Sequence, residues 1–96
     1  MLDAIANPRR REILRLVWDR ELSAGEIAEN FTVSWPAVSQ NLGVLRKAGL
    51  VIERREANRR YYRADRQALG VLAAFLEDMW GEDLARLQDV VKPERR

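Results

Sequence analysis

Five arginines, Arg54, Arg55, Arg59, Arg60 and Arg63, fall within a stretch of ten residues. A guanidinium is a planar, permanently charged fork of donors, suited to phosphate or carboxylate oxygens and to no covalent step at neutral pH. Just upstream, Gln40 and Asn41 each carry a donor and an acceptor side by side. That pattern pairs bidentately with the N6 and N7 edge of adenine. Bond-making chemistry has no matching set. Cysteine is absent, so no disulfide or thiolate metal site can form, and histidine is absent, which removes the commonest metal ligand and the usual general base. With no nucleophile–base pair and no phosphate loop, an enzyme is the least supported class, and no cofactor is implied. Residues 46–66 hold eight basic and three acidic side chains, a local +5 within an overall +2. A basic middle with acidic flanks points to a polyanion bound at one face.

These residues need elements to hold them, and Leu22 to Leu50 reads as two short helices joined by a tight turn. Ser23 is an N-cap, with Glu26 three residues on to close a capping box. Ala24 to Phe31 then forms the first helix, burying Ile27, Ala28 and Phe31, and Thr32-Val33 is the turn. Ser34 starts the second helix; Pro36 is tolerated in its first turn, where the N–H it lacks has no intrahelical partner. Val38, Leu42 and Leu45 mark the buried face and Gly49 the stop. With its apolar side pinned, the second helix presents the opposite side, narrow enough for a major groove. The bland alternative is a helical hairpin inside a core.

After Gly49 the period changes. Leu50 to Glu56 and Arg60 to Ala64 are extended runs around an Ala57-Asn58-Arg59 turn, in which Asn58 tolerates positive φ. Arginines on such a projection can meet phosphates or enter a minor groove; otherwise they keep an exposed edge soluble. At the other end of the chain, Leu2, Ile5 and Ala6 make a brief apolar stripe. Asn7 then caps a helix from Pro8 to about Asp19 that buries Ile13, Leu14, Val17 and Trp18. Arg9, Arg10 and Arg11 open that helix, as a solvated cluster or as a source of one phosphate contact.

Asp65 caps a last helix from Arg66 to about Val91, striped by Leu69, Leu72, Leu76, Trp80, Leu84, Leu87 and Val91 and broadened by Ala73 and Met79. A rod of that length, roughly 39 Å at about 1.5 Å per residue, overhangs a domain whose radius of gyration is about 13 Å. The stripe then calls for a second chain, and Leu2, Ile5, Leu72, Leu76, Trp80, Leu84 and Leu87 are the expected homodimer interface. Gly70 and Gly81 weaken this helix, and Gly81 marks either a bend or a close crossing. The acidic residues Glu77, Asp78, Glu82 and Asp83 read as a solvated face, or at most as a weak hard-cation site. Residues 1–96 make one domain with no repeat or linker. No apolar run approaches membrane-span length and no signal-peptide pattern opens the chain, so the expected location is the cytoplasm.

Asn7-Pro8-Arg9-Arg10-Arg11-Glu12-Ile13-Leu14, Leu22-Ser23-Ala24-Gly25-Glu26-Ile27-Ala28, Pro36-Ala37-Val38-Ser39, Leu45-Arg46-Lys47-Ala48-Gly49-Leu50-Val51 and Arg60-Tyr61-Tyr62-Arg63 together resemble the ArsR/SmtB-type winged-helix repressors. The resemblance spans nearly the whole chain. It implies a fold that is mainly α with a small β-hairpin, a winged helix-turn-helix paired through its terminal helices. It implies a homodimeric transcription regulator, usually a repressor of its own operon, acting on double-stranded DNA at a palindromic operator. Residues 34–48 would enter the major groove and residues 51–64 would be the wing. The DNA-facing set is then Ser34, Trp35, Pro36, Ser39, Gln40, Asn41, Arg46, Arg59, Arg60 and Arg63.

Two departures matter. The cysteine pairs and the Asp/His/Glu sets of metal-sensing members cannot be assembled here, so the chain resembles non-metal members. Relatives commonly read Ser-Arg-Pro-Ala-Val-Ser-Arg-His-Leu-Arg in the second helix, where this chain has Trp35, Gln40, Asn41 and Gly43 at four of those positions. These changes spare Val38 and Leu42 and alter what is read. Trp35 either packs on a thymine methyl or sugar, or covers the helix start. The competing class is a winged helix that binds a partner protein through the same surface, which the apolar Trp35 favours and the arginine-rich wing opposes.

Overall fold

The computed structural model describes residues 2–91, with side chains to residue 81. Six helices and three strands follow in the order α1 (Leu2–Ile5), α2 (Pro8–Leu16), β1 (Leu22–Ser23), α3 (Ala24–Ala28), α4 (Trp35–Lys47), β2 (Val51–Glu56), β3 (Arg59–Ala64), α5 (Arg66–Leu69) and α6 (Val71–Val91).

Four helix starts, those of α2, α3, α4 and α5, are fixed by the side chain before them. The Asn7 Oδ1 accepts from the Arg9 and Arg10 amides at 2.8 and 3.2 Å, with Pro8 opening α2. Ser23 and Glu26 close the capping box, Oγ accepting from the Glu26 amide at 3.1 Å and Oε1 from the Ser23 amide at 2.8 Å. Ser34 and Asp65 accept from the Ala37 and Ala68 amides in the same way. Such caps are worth about 1 kcal/mol each, because they satisfy first-turn N–H groups that have no carbonyl to reach. At the far end of α4, the Gly49 amide donates to the Arg46 carbonyl and the Leu50 amide to the Leu45 carbonyl, both at 3.0 Å. Gly49 has φ +78°, the left-handed residue that this paired closure requires.

Several elements are shorter or more broken than their periodicity suggests. Helix α2 stops at Leu16 rather than near Asp19, because the Val17 carbonyl accepts from the Ala64 amide at 3.0 Å and draws the chain toward the sheet. Helix α3 stops at Ala28 rather than Phe31; the Asn30 and Phe31 amides turn back to the Ile27 and Ala28 carbonyls. The hairpin turn is Ala57-Asn58, with Arg59 already paired to Glu56, and the positive φ (56°) belongs to Ala57 and not to Asn58. The wing is also more than a hairpin. Leu22 and Ser23 pair with Tyr62 and Tyr61, giving an antiparallel sheet of order β1-β3-β2. The last helix is not one rod. Gly70, at φ +60° and ψ −129°, separates α5 from α6, so the break lies there and not at Gly81.

One core joins these elements, with Ile13, Leu14, Ile27, Val38, Leu45, Leu50, Leu69 and Leu76 fully enclosed. Helix α6 docks on the segment that follows α2 through Trp80, which meets Trp18 edge-to-face at 4.9 Å between ring centroids. Trp18 Nε1 donates to Glu77 at 2.9 Å, so its one polar atom is satisfied. Leu76 and Trp80, expected between subunits, are therefore buried in this chain's own core, along with Ile5. The break at Gly70 lets α6 lie against its own domain, which an unbroken rod was not expected to do. Leu72 is half-buried against the same core. What stays bare is Leu2, which was among the expected residues, with Val71 and Phe75, which were not: they are 67, 87 and 59% exposed. Leu84, Leu87, Glu82 and Asp83 lie outside the described side chains. Among the described residues, no three acidic side chains converge on a point, and no helix is long and apolar enough to cross a membrane.

Candidate nucleic-acid interface

Helix α4 divides cleanly by side. Val38, Asn41, Leu42 and Leu45 point inward, while Ser34, Trp35, Pro36, Ser39, Gln40, Arg46 and Lys47 are exposed. The exposed residues recur every three or four positions and so share one face. The first turn holds its position because Ser34 caps it and Val38 anchors it one turn later.

The wing stands beside this face. An open cleft of about 600 Å³ separates them, lined on one side by Trp35, Ser39 and Leu42 and on the other by Asn58, Arg59 and Arg60. Glu26 of α3 and Glu29, just past its end, also line it. Trp35, Ser39, Arg59 and Arg60, expected to act together, thus border one space. Arg46 and Arg63 are exposed elsewhere, at the end of α4 and on β3.

The arginines are not equivalent. Arg54 makes a fork-to-fork pair with Glu21 at 2.8 and 2.9 Å, reaches Glu56 at 2.7 Å, and lies over the Tyr61 ring at 4.7 Å. It braces the wing against the segment before β1 and is neutralised in doing so. The Arg54 hydrogen bond holds the Glu21 carboxyl below the usual carboxylate range, and Glu21 and Glu56 in turn hold Arg54 more firmly protonated. Arg60 lies 3.8 Å from Glu53. That carboxylate also accepts from the Tyr62 hydroxyl at 2.9 Å. Burial, seconded by Glu53, pushes the Tyr62 hydroxyl above the usual tyrosine value. Among the described residues Arg46, Lys47, Arg55, Arg59 and Arg63 form no ion pair. These cations can neutralise phosphate without first breaking a bridge.

Asn41 requires a correction. It is 7% exposed, its Nδ2 donates to the Ala37 carbonyl at 2.8 Å, and its Oδ1 accepts from Arg10 Nη1 at 3.1 Å. Both ends of the amide are engaged inside the chain, so no base edge meets it; of the two carboxamides on α4, only that of Gln40 is exposed. Arg10 and Arg11 are corrected too. Rather than a solvated cluster, they bind the carbonyls at the end of α1: Arg10 at Ala4 and Asp3, Arg11 at Ile5 and Ala6. Cations there satisfy carbonyls that a four-residue helix leaves without partners.

A family model described as bacterial regulatory protein, arsR family, matches residues 7–53. An HTH-type transcriptional regulator of Mycobacterium tuberculosis is 36% identical over 91 residues, covering 95% of this chain and 85% of that protein. The crystal structure of a possible transcriptional regulator for arsenical resistance superposes with a TM-score of 0.70 at 40% identity, covering 90% of each chain. A homodimeric winged helix-turn-helix DNA-binding domain from Mycobacterium bovis, described as a possible ArsR-family transcriptional regulator, superposes with a TM-score of 0.71 at 35% identity. Here the match covers 83% of this chain and 74% of the other.

Proposed function

The chain belongs to the arsR family of bacterial regulatory proteins, and we propose that it works as a homodimeric, sequence-specific DNA-binding transcriptional regulator that represses its own operon in the cytoplasm. One observation carries this reading: the exposed face of α4 and the unpaired wing arginine Arg59 border the same cleft. A helix and a basic projection so placed divide recognition between them. The outward side chains Ser34, Trp35, Pro36, Ser39 and Gln40 meet base edges and adjacent sugars in the major groove, with Gln40 as the reader of adenine. Arg59, Arg63 and Arg46 meet phosphates and set the register, and Arg60 joins them by leaving Glu53. Leu2, Val71 and Phe75 support pairing of two copies, because three large apolar side chains this exposed call for cover. Two such chains related by a two-fold axis would face half-sites about one helical turn, roughly 34 Å, apart, which makes the operator a palindrome. A bound dimer then excludes polymerase from the promoter.

Selection of bound duplexes from a random library tests this directly. The expected product is a palindromic site with an A·T preference within each half. Recovery of random sequence, with binding that disappears at moderate salt, would reject it. The half-exposed Trp35 favours a second reading, a surface that docks a partner protein in place of a groove. That reading predicts no selected sequence at any salt.

A further inference from the structure

The recognition helix is joined to the N-terminal helix by one side chain. Arg10 stands on α2 between them, and its guanidinium donates to three oxygens from two other elements. Nε reaches the Ala4 carbonyl at 2.6 Å and Nη2 the Asp3 carbonyl at 3.1 Å, both on α1, while Nη1 reaches Asn41 Oδ1 on α4 at 3.1 Å. Asn41 passes the constraint on. With Oδ1 held by Arg10, its Nδ2 is aimed at the Ala37 carbonyl, in the turn that begins at Ser34 and carries Trp35 and Pro36. A planar fork whose donors are fixed relative to one another transmits orientation, which a point charge cannot do. The amide is 7% exposed, so water does not replace the contact cheaply.

We propose that Arg10 is a positioning residue for DNA recognition: through Asn41 it sets the first two turns of α4 on the N-terminal helix, so that the outward side chains, Gln40 foremost, keep the orientation in which they read bases. The proposal rests on the DNA-binding reading above. It also gives α1 a role in recognition. That helix also carries the exposed Leu2, one residue before the Asp3 carbonyl that Arg10 holds.

The test compares wild type with Arg10→Ala, Arg10→Lys, Asn41→Ala and the Arg10→Ala/Asn41→Ala pair. Each is titrated with a library-selected duplex and a random duplex across a salt series. The single variants are expected to lose about tenfold on the selected duplex, a loss typical of broken coupling between neighbours, with random-duplex binding nearly unchanged. The salt slope should stay at the wild-type value, because no phosphate contact is removed. Arg10→Lys should behave like Arg10→Ala, and the double variant should lose no more than either single one. If Arg10→Ala does not fold, Arg10→Lys and Asn41→Ala carry the same comparison.

Three results would overturn the proposal. Equal losses on both duplexes, with a slope lower by about one unit and rescue by lysine, would make Arg10 a phosphate contact. A loss in Asn41→Ala confined to one base position would make Asn41 a reader after all. Wild-type affinity in every variant would leave the contact structural only. A wild-type protein that selects no site would instead remove the regulator reading, and the proposal with it.

Discussion

Trp18 and Trp80 meet edge-to-face at 83° between ring planes, across sixty-odd residues of chain, and together they decide where α6 lies. The contact joins the segment just after α2 to the middle of α6, and Glu77 on the same helix face accepts the Trp18 N–H. Trp80→Ala should therefore act as a core truncation, lowering stability by about 3–5 kcal/mol. Urea unfolding followed by circular dichroism measures this. A loss below 1 kcal/mol would mean that α6 does not depend on the indole pair.

Phe75 lies on the other side of α6, exposed and away from that pair. Phe75→Glu is expected to leave the unfolding midpoint close to wild type while converting a dimer into a monomer in sedimentation at micromolar concentration. A wild-type monomer, or a Phe75→Glu dimer, would exclude this face as the subunit contact.

Helix α4 and the wing should differ in the kind of energy they supply. Arg59 has no ion pair to break, so Arg59→Ala should weaken selected and random duplexes alike and lower the slope of log affinity against log salt by about one unit. Arg60→Ala should lower it less, since Arg60 shares Glu53. Gln40→Ala carries no charge change; it should leave the slope alone and relax preference at one base position, at a cost of about 1–3 kcal/mol. Unaltered base preference in Gln40→Ala would remove Gln40 as a reader.

The wing brace has a pH signature. A carboxyl whose folded-state pKa is lowered contributes stability above its unfolded value, 4.5 for Glu21, and that stability is lost as pH falls through the lower folded value. Wild type should accordingly exceed Glu21→Gln in stability at neutral pH, with the gap closing only below the ordinary carboxylate range. Both partners face solvent, so the gap is modest and should shrink in molar salt. A gap that closes well above pH 4.5 would contradict the assignment.

Four helix starts were legible in the sequence because each depends on one side chain a few positions away: Asn7, Ser23 with Glu26, Ser34 and Asp65. The core stripe of α4 was legible for the same reason. That stripe also held the signal for Asn41, three residues after Val38 and four before Leu45, a position that helical geometry places inside. Its carboxamide chemistry suggested an outward reader, yet register decides direction. Strand β1 was not legible, because two residues have no period and their partner lies some forty residues on. Nor was the break at Gly70. Leu69, Leu72 and Leu76 keep helical spacing across it, and one glycine at φ +60° turns the axis without disturbing the pattern. The burial of Leu76 and Trp80 followed from that turn.

The three tryptophans of the chain are unequally housed, two in van der Waals contact inside and Trp35 at 52% exposure on the cleft. Indole emission moves to shorter wavelength in apolar surroundings, so the spectrum sorts itself into two bands by location. The short-wavelength band follows the Trp18–Trp80 pair and vanishes on unfolding; the long-wavelength band comes from Trp35 and is removed by Trp35→Phe. Duplex added to folded protein should quench only the second. The molecule would thus carry a built-in optical gauge, one channel for its fold and one for the face proposed to meet DNA, with no label attached.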